Sequence, residues 1–565
     1  MTYLIFDIET TGLERTSDFI CAAFSDKYFT TNIEECVQHL IDNLEAQTPI
    51  VGHNIVSYDL PLLLYQSKKR EALNSLIRKN PTLIIDTLHI SRREYPTWIS
   101  GHDVGNWSYL LRNKHGYDVA PKPQDVDWTD MEQVRNRCMT DVSIQEALFD
   151  YLWVQRGHKI SKTYRALQTY YPLCIESLAY GLPINLKEVE SVRRKLKLSL
   201  LANKVSIYKD LGRLNINSPM QINKALMKKY KKGLPKTEKG NPQLNDKNRK
   251  RVCEKFPILV DVYDAKDLNA QLSFIAEGEG KKSIFGRVHP SPLFDGDVVL
   301  PELNVLATRT MRAQYKNPPL NQFDKRIREL VAAPKGWTMV GVDIIGLENA
   351  ILDYTLKSMG LDGLHSEGCP KQQTLDVFGT LFDNVVCYAD ETMKDKAKTL
   401  NYALLYGQGL KSTCDYLNLS HSRMYEVKEA INKRFPSFNQ IKAILKSSLQ
   451  KEGDLFILKT MYGDMVVSPE HIVLNTWCQT SGMVYAHMLF GLFYQELVSI
   501  DIPHYCAVVN HDEAQLLFKT TDVKALEERL DSILETVYSK FYSRTKETLI
   551  TKLEYETGEN WKSTH

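Results

Sequence analysis

Four carboxylates in the first 150 residues have the types and spacing of a metal site. Asp7 and Glu9 follow the apolar run Tyr3–Phe6, and residues i and i+2 of a strand point to the same face, so one cation can reach both. Asp59 follows a second apolar segment, and Asp141 stands at the head of an apolar helical segment. Such hard oxygen ligands suit two magnesium-like ions, which can clamp the attacking and leaving oxygens of a phosphoryl displacement. An isolated pair of acids more often lies on the surface, so this prediction depends on all four.

A second group of acids lies in the C-terminal half. Asp343 ends the apolar run that begins at Trp337, and Glu348 follows it after a glycine-containing turn. Asp512 and Glu513 lie between two further apolar runs, in the order strand, acidic tip, strand. Two adjacent strands of one sheet could bring Asp343 and Asp512 to a distance that a metal ion bridges. Either acidic group by itself is more often an ordinary hairpin turn.

A helical stripe of cations and aromatics lies between these two acidic segments. Lys394, Lys398, Tyr402 and Tyr406 are each four residues apart, which places them on one helical face. A row of lysines without interleaved acids is unfavourable unless an anion joins it, and a triphosphate is such an anion. Tyr402 offers a platform for a base or a sugar. The alternative is an exposed helix lined with lysines whose tyrosines pack in the core.

The elements that must position these residues follow from hydrophobic periodicity. The first 150 residues alternate short apolar runs with helical patterns, which predicts an α/β unit. A long basic helix is predicted over about 185–210. The next window, residues 224–255, contains 12 Lys and Arg against 3 Asp and Glu, which fits either a solvated loop or a grip on a phosphate backbone. Strand-like runs then flank a mainly helical stretch, about 389–500.

Length and composition limit the class of protein. A chain of 565 residues predicts about three or four domains. The hydrophobic fraction is 43% and the charged fraction 25%, which is ordinary for a globular protein. The net charge is only +2, and no apolar run approaches the length of a membrane span. The ten cysteines form no C-x-x-C pair, which fits a reducing compartment, and a signal peptide has no room before Asp7.

The N-terminal acids and their neighbours resemble the three exonuclease motifs of the DEDD 3′–5′ exonucleases. The residues that carry the resemblance are Asp7, Glu9, Asn54, Tyr58, Asp59 and Asp141. The resemblance implies a ribonuclease-H-like α/β domain in which Asp7, Glu9, Asp59 and Asp141 hold two Mg²⁺ ions. Proofreading members carry a tyrosine four residues before the last aspartate, whereas this chain has Arg137 there. Arginine cannot act as a base, so weakened hydrolysis is expected, and the alternative is a degenerate exonuclease fold kept as a scaffold.

The C-terminal segments resemble motifs A, B and C of the family A DNA polymerases, and most closely the replicases of short-tailed bacteriophages. Segments beginning at Leu214, Thr310 and Leu474 resemble further elements of that family in the expected order. The resemblance implies an α+β right-hand polymerase domain with palm, fingers and thumb. The implied boundaries are 1–155 for the exonuclease, 156–300 for the thumb and connecting region, 301–360 and 456–565 for the palm, and 361–455 for the fingers.

The resemblance also implies roles around the polymerase site. Asp343 and Asp512 would hold two Mg²⁺ ions, and Glu513 would be a supporting carboxylate. Lys398 would contact the α-phosphate of the incoming nucleotide, and Lys394 its γ-phosphate.

Five further residues would contact the substrates. Glu348 and Tyr402 would form the sugar-selecting pair, and His511 would lie near the primer terminus. Arg312, Asn475 and Gln479 would donate to minor-groove acceptors, which lie at similar places for A·T and G·C pairs.

Taken together, the resemblances imply a DNA-templated DNA polymerase with an attached, possibly weakened 3′–5′ exonuclease. Its partners would be primer–template DNA and dNTPs, with no membrane, and its setting phage genome replication in the cytoplasm of a bacterial cell. A long thumb insertion is absent before Asn215, which argues against a thioredoxin-type processivity factor. The alternatives are an exonuclease whose C-terminal half only binds DNA, and a relative of the single-subunit RNA polymerases, against which Glu348 argues.

Overall fold

The computed structural model describes the chain in twelve ranges. They are 3–98, 101–155, 162–237, 239–245, 248–278, 283–363, 425–426, 429, 433, 436–500, 502–545 and 550–564. Within these ranges, no helix is both long and apolar enough to cross a membrane.

The N-terminal unit is built on a five-stranded sheet in the order β3-β2-β1-β4-β5. The first strand is antiparallel to β2 and parallel to β4, so the sheet is mixed. Its strands begin at or near the apolar runs at residues 3, 49 and 81, which confirms those sequence predictions. The strands are β1 (Leu4–Thr10), β2 (Phe19–Phe24), β3 (Phe29–Thr30), β4 (Ile50–Gly52) and β5 (Ile84–Asp86).

Six helices surround this sheet, and the last of them crosses its central strands. That helix is capped by Asp130, whose carboxylate accepts hydrogen bonds from the backbone of the first turn. Its buried face, which includes Val134 and Ile144, packs against β1 and β2. The helices are α1 (Ile33–Glu45), α2 (Asp59–Gln66), α3 (Arg70–Lys79), α4 (Thr87–Glu94), α5 (Val104–Lys114) and α6 (Met131–Phe149), the last continued by a π-helical turn, Asp150–Gln155.

The middle of the chain is mainly helical. The helix predicted over 185–210 is present as a 26-residue helix that packs against a second long helix, α11. The basic window 224–255 includes two shorter helices, α9 and α10. The helices are α7 (Lys162–Tyr180), α8 (Leu186–Leu211), α9 (Pro219–Tyr230), α10 (Arg249–Lys255), α11 (Ile258–Phe274) and the short α12 (Lys325–Arg328).

Short strands join this middle part to the rest of the molecule. Three of them form a sheet in the order β6-β8-β7, and two form the antiparallel pair β9–β10. The strands are β6 (Leu182–Pro183), β7 (Val288–Pro290), β8 (Asp297–Val299), β9 (Leu303–Asn304) and β10 (Gln314–Tyr315).

The C-terminal part centres on an antiparallel sheet in the order β15-β16-β11-β17. A small three-stranded sheet, β12-β13-β14, lies apart from it. The strands are β11 (Trp337–Ile344), β12 (Gln450–Glu452), β13 (Leu455–Lys459), β14 (Met465–Val467), β15 (His504–Asn510), β16 (Glu513–Lys519) and β17 (Leu553–Gly558). The helices are α13 (Leu347–Ser358), α14 (Ser437–Ser447), α15 (Val473–Ser499) and α16 (Thr520–Thr545).

Helix α7 joins the N-terminal unit to the C-terminal sheet, because it packs against α2, α15 and β15. A fully buried acid on this helix, Glu176, links the two parts. Arg78 of α3 and Tyr494 of α15 donate to its carboxylate, and the backbone N–H of Cys506 does so at 2.9 Å. Burial alone would raise the pKa of Glu176, but the Arg78 guanidinium and the Tyr494 hydroxyl hold that pKa below its usual range. The two units therefore share this largely buried ion pair, and Arg93 and Asp464 form another between them.

Candidate active sites

Three N-terminal carboxylates that are far apart in the sequence converge at β1. Asp7 and Glu9 project from this strand, and Asp141 reaches them from α6. One oxygen from each of the three lies within 4.8 Å of the others. Asp59, the first residue of α2, is close enough that its charge acts on Asp7. The structure therefore brings together the four acids that the sequence singled out.

Burial makes this cluster electrostatically unfavourable when every carboxyl is ionised. It raises the pKa of Asp7 well above its usual range, and the charges of Asp141, Asp59 and Glu9 raise that pKa further. Burial also raises the pKa of Asp59, to about 7, and that of Glu9. A bound cation relieves such repulsion.

One oxygen of the cluster is a ready ligand. Asp141 Oδ1 is buried and has no hydrogen-bond partner among the described residues, while Gln145 Nε2 donates to Asp7 Oδ1 at 2.8 Å. Buried polar atoms normally have partners. Hard carboxylate oxygens around such an orphan acceptor suit a divalent ion such as Mg²⁺. The residues present therefore fit the metal that the sequence implied.

Two cations also reach into the cluster. Arg137 Nε donates to Glu9 Oε1 at 2.8 Å, and Lys122 Nζ donates to Asp141 Oδ2 at 2.5 Å. The sequence pointed to Arg137 through its spacing from Asp141. It did not point to Lys122, which comes from a loop without periodicity, or to Gln145, although Gln145 lies one helical turn after Asp141.

A cleft of roughly 1720 Å³ opens onto these acids. Its walls come from both halves of the chain, because residues near β9 and on β13 and β14 line it together with the N-terminal unit. Aromatic and polar side chains line it beside the acids, as a site for an extended polar ligand requires. The lining includes Trp98, His102, Trp128, Asn304, Thr308 and Arg309.

The second acidic site lies where β11 meets the turn between β15 and β16. Asp343 pairs in register with Glu513, and the backbone N–H of Ile344 donates to the carbonyl oxygen of Asp512 at 2.9 Å. Asp343 lies on β11, and Asp512 lies in the turn that joins β15 to β16, which matches the predicted order of strand, acidic tip and strand. That a metal ion bridges the two carboxylates stays a prediction. Burial raises the pKa of Asp512, and the charge of Glu348 raises it further.

Glu513 points into a different environment from Asp512. It is buried, and its Oε1 accepts hydrogen bonds from Trp561 Nε1 and, at 2.8 Å, from Gln515 Nε2. Arg328 Nη1 lies 4.0 Å from the other oxygen. These contacts attach the turn to the end of the chain, and the sequence did not reveal them because Trp561 is 48 residues away.

An ion pair borders the second site. Arg312 Nη2 donates to Glu348 Oε1 at 2.5 Å, although 36 residues separate the two. His511 has a left-handed backbone, with φ of 62°, and burial lowers its pKa to about 4, with the charge of Arg312 acting in the same direction. The sequence named all three residues but not their association.

Helix α15 lies beneath this site and presents two of the predicted DNA contacts. Asn475 and Gln479 are half-buried on its first turns, and Asn475 Oδ1 has no hydrogen-bond partner within the described ranges. The helix approaches α13 closely at Gly482, where an added Cβ would lie 3.2 Å from Leu347 Cγ. The remaining predicted residues, Lys394, Lys398 and Tyr402, lie outside the described residues.

Comparison with known proteins decides the family. A family model described as DNA polymerase family A matches residues 186–563. The chain belongs to DNA polymerase family A. The resemblance of the C-terminal motifs to family A is thereby confirmed, while their closer likeness to phage replicases stays a prediction.

Relatives of this family A polymerase include two bacterial enzymes. DNA polymerase I of Aquifex aeolicus (strain VF5) is 23% identical over 490 residues, which cover 80% of this chain and 78% of that protein. DNA polymerase I of Helicobacter pylori (strain ATCC 700392 / 26695) is 25% identical over 441 residues, which cover 76% of this chain but only 45% of that protein.

A solved structure shares the fold. It is described as the POL domain of Pol1 from M. smegmatis in complex with DNA primer–template and dNTP. The likeness has a TM-score of 0.69 at 14% sequence identity, and it covers 99% of this chain and 96% of that one. The predicted right-hand polymerase fold is therefore confirmed.

Proposed function

We propose that this polymerase extends a primer 3′-OH with dNTPs along a DNA template, with Asp343 and Asp512 at its catalytic centre. The observation that carries the proposal is the hydrogen bond from the Ile344 backbone N–H to the Asp512 carbonyl oxygen, which holds the turn that contains Asp512 beside the end of the strand that carries Asp343. Family membership and the primer–template and dNTP of the similar M. smegmatis domain support the same substrates.

The acids of this site would hold two Mg²⁺ ions. When bound, such ions lower the pKa of the primer hydroxyl and neutralise the charge of the leaving pyrophosphate. Asp343 and Asp512 would be their ligands, with Glu513 fixing the turn that presents Asp512. Lys398 and Lys394 would bind the α- and γ-phosphates.

Other residues would grip the DNA and select the sugar. Arg312, Asn475 and Gln479 would donate to minor-groove acceptors, and His511 would lie beside the primer terminus. Glu348 and Tyr402 would fill the space that a ribose 2′-OH needs. For Glu348 to contact Tyr402, its hydrogen bond with Arg312 must either be kept alongside the new contact or break.

We propose that the N-terminal unit, residues 1–155, is a ribonuclease-H-like 3′–5′ exonuclease domain that removes nucleotides from a single-stranded primer end. Its support is the convergence of Asp7, Glu9 and Asp141 within 4.8 Å, in a cleft of roughly 1720 Å³ that Asp59 also lines. The thumb and connecting region would then be 156–300, the fingers 361–455, and the palm 301–360 with 456–565.

Two single substitutions on the full chain test both activities. Asp512→Ala should abolish primer extension and leave single-strand digestion, while Asp7→Ala should do the reverse. Asp295→Ala, at an exposed loop position, is the matched control and should change neither. Extension that survives Asp512→Ala would overturn the polymerase assignment. Digestion that survives Asp7→Ala, or that is absent from the unmodified chain, would overturn the exonuclease assignment.

The same assay addresses the remaining alternative. Extension with rNTPs in place of dNTPs would instead favour an RNA polymerase. The setting proposed for the enzyme is phage genome replication in the cytoplasm of a bacterial cell, without a thioredoxin-type processivity factor, and it rests on the motif resemblance.

A further inference from the structure

The two cations inside the N-terminal acidic cluster are held in place by the rest of the fold. Besides its bond to Glu9, Arg137 donates through Nη1 to the Pro123 carbonyl oxygen at 3.1 Å. Its guanidinium lies over the Trp128 ring, 5.2 Å from the centroid. The side chains of Arg137 and Lys122 are 17% and 25% exposed, so both charges are largely withdrawn from water. They are therefore fixed parts of the site.

The charges in the cluster balance with one divalent ion. Asp7, Glu9, Asp59 and Asp141 carry four negative charges when ionised, and Lys122 and Arg137 return two positive charges. One divalent ion brings the sum to zero, whereas a second would leave two positive charges without counter-ions in a buried site. An excess of buried charge is unfavourable because the desolvation of the ions is not repaid by a partner.

A third cation, Arg15, lies near Asp59, where the negative charge of Asp86 opposes it, so the two together leave the charge sum unchanged. Arg15 is buried and donates to the carbonyl oxygen of Ser57, next to the start of α2. Its guanidinium also lies 5.2 Å from the centroid of the Tyr58 ring. Arg15 adds positive charge to the side of the cluster that Asp59 occupies, and Asp86 adds negative charge there.

The free oxygens point to where a single ion would bind. Lys122 occupies Asp141 Oδ2 and Arg137 occupies Glu9 Oε1, but Asp141 Oδ1 is buried without a partner among the described residues. Asp141 also has a carboxylate oxygen within 4.8 Å of a carboxylate oxygen of Asp7 and of one of Glu9. The open position therefore lies at Asp141 Oδ1, on the carboxylate whose other oxygen accepts from Lys122.

We propose that the N-terminal cluster binds one divalent cation, and that Lys122 and Arg137 supply the positive charge that a second ion would otherwise bring. For its substrate, a single-stranded DNA end, the inference rests on the proposed exonuclease function. Lys122 and Arg137 are positioning residues here, since each fixes a carboxylate and decides how many ions the four acids accept.

Counting bound Mn²⁺ tests the proposal. The protein is the full chain carrying Asp343→Ala and Asp512→Ala, so that the second acidic site is removed, and free Mn²⁺ is measured by electron paramagnetic resonance. We expect one Mn²⁺ per chain, lost on adding Asp7→Ala. Adding Lys122→Met and Arg137→Met together should raise the count to two. Arg135→Met, which removes the same charge from the exposed face of the same helix, should leave it at one.

Stability provides a second measurement, because four buried carboxylates without their cations could prevent folding. The single variants Lys122→Met and Arg137→Met should each show a larger rise in Tm on adding Mn²⁺ than the Arg135→Met control. The proposal would be overturned if the starting protein bound two Mn²⁺ ions or none. It would also be overturned if neither the Mn²⁺ count nor the rise in Tm changed when Lys122 and Arg137 are replaced.

Digestion of single-stranded DNA is measured separately, on the chain with Asp343 and Asp512 intact. If one ion binds and no DNA is digested, this inference holds and the proposed exonuclease function is wrong. If two ions bind and DNA is digested, the exonuclease function holds and this inference is wrong.

Discussion

The two acidic sites of this polymerase are assembled in different ways. In the N-terminal unit, acids from a strand and two helices meet in a buried cluster that two cations of the chain partly neutralise. In the C-terminal sheet, Asp343 comes from β11 and Asp512 from the turn before the neighbouring strand β16, and the nearby pair Arg312–Glu348 remains partly exposed. The first site therefore depends on tertiary packing around buried charge, and the second on the register of two strands.

Substitutions should therefore affect stability and activity differently at the two sites. A register is set by backbone hydrogen bonds, so replacing a carboxylate there should remove chemistry without loosening the sheet. A buried cluster holds charges that stabilise or destabilise one another, so a change there should alter both stability and chemistry.

The largest expected effect is on primer extension. Asp343→Asn keeps the shape of the side chain but removes its charge, and should lower the extension rate by at least about 10³-fold, because charge stabilisation is usually the largest catalytic contribution. Steady-state extension and single-strand digestion are measured on the same preparation, and digestion should stay within about twofold. An equal loss of both activities would mean that the two sites are not independent.

The next effect concerns the buried ion pair that joins the units. Arg78→Met leaves Glu176 buried without its counter-charge, and should lower the free energy of unfolding by roughly 3–5 kcal/mol. Urea denaturation followed by tryptophan fluorescence measures it, with the exposed Arg194→Met as control. Adding Glu176→Gln to Arg78→Met should recover part of the loss. A loss below about 1 kcal/mol, as for a surface pair, would show that the two units are not held by this contact.

A pH dependence should belong to the N-terminal site. The pKa of Asp59 is about 7 in the folded chain and near its ordinary value when unfolded, so between about pH 4 and pH 7 the folded state holds a proton that the unfolded state has lost. In metal-free buffer, stability should therefore fall as the pH rises through this window, by roughly 2–4 kcal/mol. Asp59→Asn should reduce the change of the urea midpoint with pH between pH 5 and pH 8. A midpoint that rises with pH equally in both proteins would contradict this.

The smallest effect is expected at the ion pair of the second site. Arg312 and Glu348 are 23% and 15% exposed, so a double-mutant cycle with Arg312→Gln and Glu348→Gln should give a coupling free energy of no more than about 1 kcal/mol. A cycle with Lys122→Met and Asp141→Asn is the comparison, since Asp141 is only 3% exposed, and its coupling should be larger. Equal couplings would remove the contrast between the two sites.

Local patterns revealed the strands but not the partners of the acids in the two sites. The positions of Asp343 and Asp512 could be predicted from sequence, because Asp343 ends an apolar run and Asp512 lies between two. Such a pattern involves only neighbouring residues. Lys122 could not be placed, since its loop has no period and its contact with Asp141 depends on how that loop crosses α6. The association of Arg312 with Glu348 depends likewise on the packing of distant segments. The family followed from the order of motifs, whereas the charge balance of the N-terminal site required coordinates.

Glu176 has a practical consequence for engineering this enzyme. Its counter-charge, Arg78, comes from the N-terminal unit, while its other partners belong to the C-terminal sheet and its helix. Deleting the first 150 residues to obtain a shorter polymerase would remove Asn74 and Arg78, and would leave the Glu176 carboxylate with Tyr494 and the Cys506 N–H as its remaining partners on a newly uncovered helix face. An altered N-terminal site is therefore better made by exchanging one side chain than by deleting the unit, unless Glu176 is replaced in the same step.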